Sequence, residues 1–242
     1  MDVQDKDESI EIENLVISGG GPAGFAFYGV LKELSKQRIV DIAKIKNIFA
    51  TSAGCIISVI LALDYSWEEL DKYLIERPWS KIFKIQLNDI FASYQKRGIY
   101  DVNVFHQILD PLLLGKGLEP NVTLKEFYEF CNINLNFIST KIRNMSMELF
   151  NHETHPDWKL CDVIHCSCAV PVFFTPFFYD NDLLCDGGFI SNYPVDSLLS
   201  NELDPMKTIG ISLRPRLTTD EENNNLNQSS EDYSNYNLLD FL

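Results

Sequence analysis

Asn14-Leu15-Val16-Ile17-Ser18-Gly19-Gly20-Gly21-Pro22-Ala23-Gly24 runs from a short apolar segment straight into a glycine cluster. Three apolar residues in succession, with no polar alternation, read as a strand buried on both faces of a parallel sheet. The next residues, Phe25 to Lys36, read as a helix. Strand, glycine loop and helix in that order open an α/β unit.

The same alternation continues outward from this start. Lys44 to Thr51 reads as a second strand, with Ile45, Ile48 and Phe49 apolar. Ala53 to Leu63 is apolar almost all round, as a central buried helix is. Ser66 with Glu69, and Thr123 with Glu126, are capping boxes; the first starts a helix that stops before Pro78, the second one that runs through Phe130. Val102 to Leu114 and Lys159 to Ala169 read as further helices, the latter ending before Pro171. Leu135 to Thr140 and Met147 to Asn151 read as adjacent strands, Leu183 to Cys185 as a short one, and Thr208 to Leu213 as the last. Trp79 to Tyr100 carries no clear period. The expected fold is a three-layer α/β/α sandwich around a mostly parallel central sheet. It occupies residues 14–217, between an acidic N-terminal segment, 1–13, and a polar acidic linker or disordered tail, 218–242.

A net charge of −15 over 242 residues argues against nucleic acid, which needs a basic footprint. It also supplies no attraction to anionic membranes, so contact with lipid must rest on apolar burial. None of the six cysteines forms a CxxC pair, which fits reduced core thiols. Residues 1–13 hold no apolar core of a signal peptide, and no stretch is long and apolar enough to span a bilayer. The expectation is a soluble, cytoplasmic protein.

The glycine loop admits three readings. Gly19-Gly20-Gly21-Pro22-Ala23-Gly24 matches the dinucleotide fingerprint, and Asp41 lies at the distance expected of a ribose-binding acid. Only Ile39 and Val40 precede Asp41, however, too little for the strand that motif requires. The second reading is an oxyanion hole, in which Gly20 and Gly21 offer N–H groups that Pro22 lacks. The third is a plain tight turn. Ala50-Thr51-Ser52-Ala53-Gly54, between an apolar strand and an apolar helix, suits a nucleophile elbow, with small neighbours where two backbones pass closely. The plainer alternative makes Ser52 or Thr51 an N-cap. A serine nucleophile needs a base. None of His106, His152, His155 and His165 sits in a recognisable loop after a strand, and His165 reads as packed within a helix. Asp186, at a strand end before Gly187 and Gly188, is the acidic alternative; standing alone, it would be an ordinary Asp-Gly turn.

Taken together these pieces resemble the patatin-like phospholipase family. That family carries a glycine-rich oxyanion loop, a G-x-S-x-G serine and a D-G-G aspartate in that order, here Gly19 to Gly24, Ala50 to Gly54, and Asp186 to Gly188. Ser167-Cys168-Ala169-Val170-Pro171-Val172-Phe173-Phe174-Thr175-Pro176, and the trailing Asn192 and Pro194, also look like the family. The resemblance spans roughly Leu15 to Leu213 and favours the oxyanion reading over the dinucleotide one. It implies that Ser52 attacks a lipid ester and that Asp186 takes its proton without a histidine. Gly19, Gly20, Gly21 and Gly24 would form the oxyanion loop, and Gly187, Gly188 and Asn192 would support the aspartate. Two positions depart from the pattern: Ala23 stands where a basic residue is usual, and Ala50 replaces the first elbow glycine. They keep alive a non-catalytic lipid-binding module on the same scaffold, beside the flavin- or nicotinamide-binding oxidoreductase of the dinucleotide reading. The expected partners are a lipid or phospholipid substrate and a membrane surface in transient contact, with a protein activator as a further candidate. No cofactor and no metal-ligand cluster is visible, so calcium independence is expected. The aromatic-rich segments Trp79 to Tyr94 and Val172 to Tyr179 are candidates for an acyl groove or membrane-facing lip, and equally for plain core.

Overall fold

A computed structural model describes residues 10–84, 95 and 97–213. The tail 218–242, most of the segment 1–13, and residues 85–94 of the first aromatic segment lie outside the described residues.

The strands are β1 (Asn14–Ile17), β2 (Asn47–Thr51), β3 (Gly98–Tyr100), β4 (Asn134–Lys141), β5 (Ser146–Phe150), β6 (Val172–Phe174), β7 (Phe177–Tyr179), β8 (Asp182–Asp186) and β9 (Thr208–Ile211). The α-helices, numbered in chain order, are α1 (Phe25–Lys36), α2 (Ala53–Ala62), α3 (Trp67–Leu74), α4 (Asn103–Gly115), α5 (Leu124–Cys131), α6 (Leu160–Cys168), α7 (Gly188–Ser191) and α8 (Val195–Ser200). Among the described residues seven strands form the central sheet, hydrogen-bonded along the path β7-β8-β4-β2-β1-β9 with β5 also on β4. The β9-β1-β2-β4 half is parallel, while β5, β8 and β7 join antiparallel.

Side chains alternate across a strand, and that sorts the layers. Leu15, Ile17, Ile48 and Ala50 enter the large core with residues of α1, α2, α4, α5 and α6. Val16 and Phe49, one residue out of phase, pack on Leu198 of α8 on the opposite face. The architecture is therefore the expected three-layer α/β/α sandwich around a mostly parallel sheet. α2 lies deepest, with every residue from Ile57 to Ala62 buried.

Both capping boxes form with reciprocal hydrogen bonds, and α1 spans the expected residues. The second strand starts later than expected. Asp41 accepts the N–H of Ala43 and closes a 3₁₀ turn over Ile42–Lys44, so pairing begins only at Asn47. The Val172 to Tyr179 segment resolves into β6, which pairs with β3, and β7, an edge strand of the main sheet.

The register on β4 brings the ends of β2 and β8 together. β2 pairs with β4 from Asn134 to Ile138, and β5 runs along the other edge from Phe137 to Lys141. β8 pairs with Ser139 to Lys141, so it must occupy the edge that β2 has just left. The two strands meet nearly end to end: Thr51 lies opposite Ile138, and Asp186 opposite Ser139.

Candidate active site

Ser52 follows the last paired residue of β2 and adopts φ 54°, ψ −125°. A non-glycine residue there is strained, at a cost of about 1–3 kcal/mol that surrounding structure must hold. The restraints are visible. Gly54 lets the turn pass β1, since a Cβ there would stand 2.7 Å from Ile17 O and 2.8 Å from Ser18 O. Ser167, in the last turn of α6, accepts the Ser52 N–H at 2.9 Å and the Cys55 thiol at 3.2 Å, and its own hydroxyl donates to Ile138 O. The Ser52 side chain makes no capping bond to α2. Thr51 does not cap either, because its hydroxyl donates to Ser191 O at 2.8 Å. The N-cap reading therefore does not describe this turn. Ala50, the elbow departure, is fully buried with its methyl in the large core.

Asp186 is buried at 5% exposure, and Ser52 at 8%. The Asp186 N–H donates to Ala169 O, its carbonyl accepts from Thr140 Oγ1, and Oδ1 accepts the Gly188 N–H at 2.7 Å. Oδ2 is buried without a well-formed hydrogen bond. Burial pushes the Asp186 carboxyl above the usual carboxylate range, against a smaller downward pull from the Ser52 hydroxyl and the Gly188 N–H. The Ser52 hydroxyl is thus in interaction range of the carboxylate, although the pair falls short of an aligned bond. It also contacts the thiol of Cys168, which burial holds protonated. Gly187 passes so near β4 that a Cβ would stand 2.3 Å from Ile138 O.

The glycine loop does not act uniformly. The Gly19 N–H donates to Asn192 O at 2.9 Å, so of the loop positions expected to bind an oxyanion this one is already engaged. Gly24 is a packing position, where a Cβ would lie 2.6 Å from that of Ala53. The Gly20 and Gly21 N–H groups donate to no acceptor among the described residues, and Gly21 takes φ +51°, which glycine tolerates best. Asn192 also places Oδ1 against both glycine turns, 2.4 Å from a Cβ built on Gly19 and 3.0 Å from one on Gly188. Asp41 is spent on its 3₁₀ turn rather than at a strand end, unlike a ribose-binding acid.

No histidine bonds Ser52 or Asp186. His106 pairs with Asp110, His152 stacks on Tyr128, His155 lies beside Glu148, and His165 bonds Thr175 O. Apolar side chains stand exposed on the segments that carry the site: Phe25 after the glycine loop, Val170 and Val172 after α6, Phe189 and Ile190 after Gly188. Trp79, Phe174 and Phe177 of the aromatic segments instead pack against the core. All six cysteines are free thiols.

Sequence reasoning gave Ser167 no individual role. Its signal is a hydroxyl in the last turn of a helix where every residue of that turn is buried.

The sequence matches the patatin-like phospholipase model over residues 15–199. It is 30% identical to an uncharacterized protein of Acanthamoeba polyphaga mimivirus, over 84% of this chain and 65% of that protein. It is 26% identical to a probable lipid hydrolase of Invertebrate iridescent virus 6, over 76% of this chain and 62% of that protein. The chain thus spans somewhat less than two thirds of the length of these relatives. Among solved structures it resembles VipD from Legionella pneumophila, with a TM-score of 0.59 and 18% identity over 90% of this chain and 52% of that one, a likeness of fold. The match over residues 15–199 covers most of the sequence, and the chain belongs to the patatin-like phospholipase family.

Proposed function

We propose that the chain hydrolyses carboxylic ester bonds of lipids, in the manner of a phospholipase A or lysophospholipase, through a Ser52–Asp186 dyad. The observation that carries this reading is a strained, buried serine within reach of a desolvated carboxylate whose Oδ2 has no hydrogen-bond partner. A carboxylate in such a setting is a competent general base once ionised. Membership of the family and the relative named a probable lipid hydrolase support a lipid as substrate.

In this mechanism Ser52 Oγ attacks the ester carbonyl as Asp186 takes its proton. Gly20 and Gly21 N–H groups hold the developing oxyanion, each donor contributing about 3–4 kcal/mol in the transition state. The α2 N-terminus adds a favourable dipole at Ser52. Collapse of the tetrahedral intermediate breaks the ester C–O bond, and Asp186 returns the proton to the departing alcohol. Water then attacks the acyl-Ser52 ester by the same route, releasing the fatty acid. The exposed Phe25, Val170, Phe189 and Ile190 suit an apolar acyl chain or lipid surface met by burial rather than charge. Among the described residues no helix is long and apolar enough to cross a membrane, which fits transient contact.

The test is hydrolysis of a p-nitrophenyl ester and of mixed phospholipid vesicles by wild type, Ser52→Ala and Asp186→Ala. A loss of about a thousandfold or more in both variants is expected. Full activity in Ser52→Ala would sink the mechanism.

A further inference from the structure

Beside α4, and not over the dyad, an open cleft of about 610 Å³ is lined by residues including Arg77, His106, Gln107 and Asp110. His106 and Asp110 are four residues apart on one face of α4, with Nδ1 2.9 Å from Oδ1. By itself this is an ordinary i,i+4 charge pair. The third group is not accounted for that way. Cys161, in the first turn of α6, is fully buried, and its thiol has no hydrogen-bond partner among the described residues. One donor atom from each of the three side chains falls within a sphere of contacts no longer than 4.8 Å. Arg77 does not compete for the position. Its guanidinium donates to Tyr73 Oη and Gln107 O and lies over the Tyr73 and Trp79 rings.

We propose that His106, Asp110 and Cys161 bind a borderline-soft divalent cation of the Zn²⁺ type. One nitrogen, one carboxylate oxygen and one sulfur are the donor set such a cation selects over Mg²⁺ or Ca²⁺, which take oxygen. Three protein ligands leave a fourth tetrahedral position, which the open cleft supplies with water. Binding replaces the Cys161 thiol proton with the cation, and the proton leaves to solvent. The ion ties α4 to the first turn of α6, whose last turn carries Ser167 and Cys168 against Ser52. The site therefore braces the dyad's support from the far end of the helix. The sequence showed no such cluster, because its ligands come from two helices well separated along the chain.

The experiment is titration of the purified full chain with Co²⁺, followed by displacement with Zn²⁺. Saturation at one equivalent, with a sulfur-to-cobalt charge-transfer band that Zn²⁺ removes, is the expected result. The band should vanish in Cys161→Ser, and affinity should fall about tenfold or more in His106→Ala. Both should be unchanged in Cys131→Ser, a half-buried thiol elsewhere on the chain. Zn²⁺ should raise the melting temperature of wild type but not of His106→Ala, a readout that stands even if Cys161→Ser folds poorly. Absence of a thiolate band in wild type, a band that survives in Cys161→Ser, or equal Zn²⁺ stabilisation of wild type and His106→Ala overturns the proposal. None of these readouts depends on ester hydrolysis.

Discussion

Ser167 accepts the backbone N–H of Ser52 at 2.9 Å, and the carbonyl of the same residue accepts the Gly187 N–H at 3.2 Å. One residue of α6 therefore anchors the elbow through its side chain and the aspartate turn through its backbone. Replacing it with alanine strands a buried N–H at Ser52 and removes the donor to Ile138 O. Ser167→Ala should lose about 1–3 kcal/mol of stability and lower kcat about tenfold to a hundredfold through misplacement of Ser52. Urea unfolding read beside p-nitrophenyl ester kinetics checks both. Unchanged kcat in a destabilised variant would reduce Ser167 to packing.

Burial raises the Asp186 carboxyl above its ordinary range, and this sets the sign of the pH effects. The folded state holds that proton more tightly than the unfolded one. Its contribution to stability is therefore complete below the unfolded pKa and is lost as pH rises through the folded one. The proposed mechanism needs the ionised form, so kcat/KM should rise with pH across the same window. Asp186→Asn removes the buried charge while leaving an oxygen for the Gly188 N–H. It should be more stable than wild type at neutral pH, with the gap closing in acid and activity gone. Melting curves across a pH series decide it; a variant that melts lower than wild type at neutral pH contradicts the prediction.

The two small residues of the elbow should resist substitution for different reasons. Gly54→Ala drives a methyl into the Ile17 and Ser18 carbonyls, which are backbone and cannot turn aside. A cost of about 1–3 kcal/mol and a marked loss of activity are expected. Ala50→Gly restores the usual motif but empties a filled core position, so it should lose about 1 kcal/mol and gain no activity. Stability and ester turnover of the two variants, measured side by side, check both. A faster Ala50→Gly enzyme would show that the departure at this position does impair the site.

His152 and His155 are held by Tyr128, Asn134, Phe150 and Glu148, none of them part of the proposed dyad. His152→Gln and His155→Gln should keep ester hydrolysis within the same order of magnitude as wild type. A thousandfold fall in either folded variant would put a histidine into the mechanism.

What could be read from the sequence had local causes. Ser66 with Glu69 and Thr123 with Glu126 mark helix starts because two hydrogen bonds close within four residues. Leu15 to Ile17 and Ile57 to Ala62 declare burial by being apolar almost without interruption. The missed pieces were too short or too distant to leave a pattern. Three-residue strands such as Phe177–Tyr179 show no period, and the four-residue helix at Gly188 has no room for one. Asp41 shortened β2 by capping a turn, a local competition invisible in the apolar run. The residues of the proposed dyad could be named from motifs. That Ser167 ties them together could not, since it depends on α6 reaching across to β2 and β8.

The end-to-end meeting of β2 and β8 on β4 has an evolutionary corollary. Thr51, the residue before Ser52, and Asp186 sit on neighbouring rungs of one ladder, opposite Ile138 and Ser139. A single-residue insertion or deletion within β4 would displace one partner by about 3.3 Å and turn its side chain to the opposite face. Apart from α2 and α6, which hold the elbow and the aspartate turn, the connections between Ser52 and Asp186 meet no such restriction and can lengthen or shorten while the spacing at the ladder stays fixed. Descendants of this chain are free to diversify what approaches the serine, provided that β4 keeps its count.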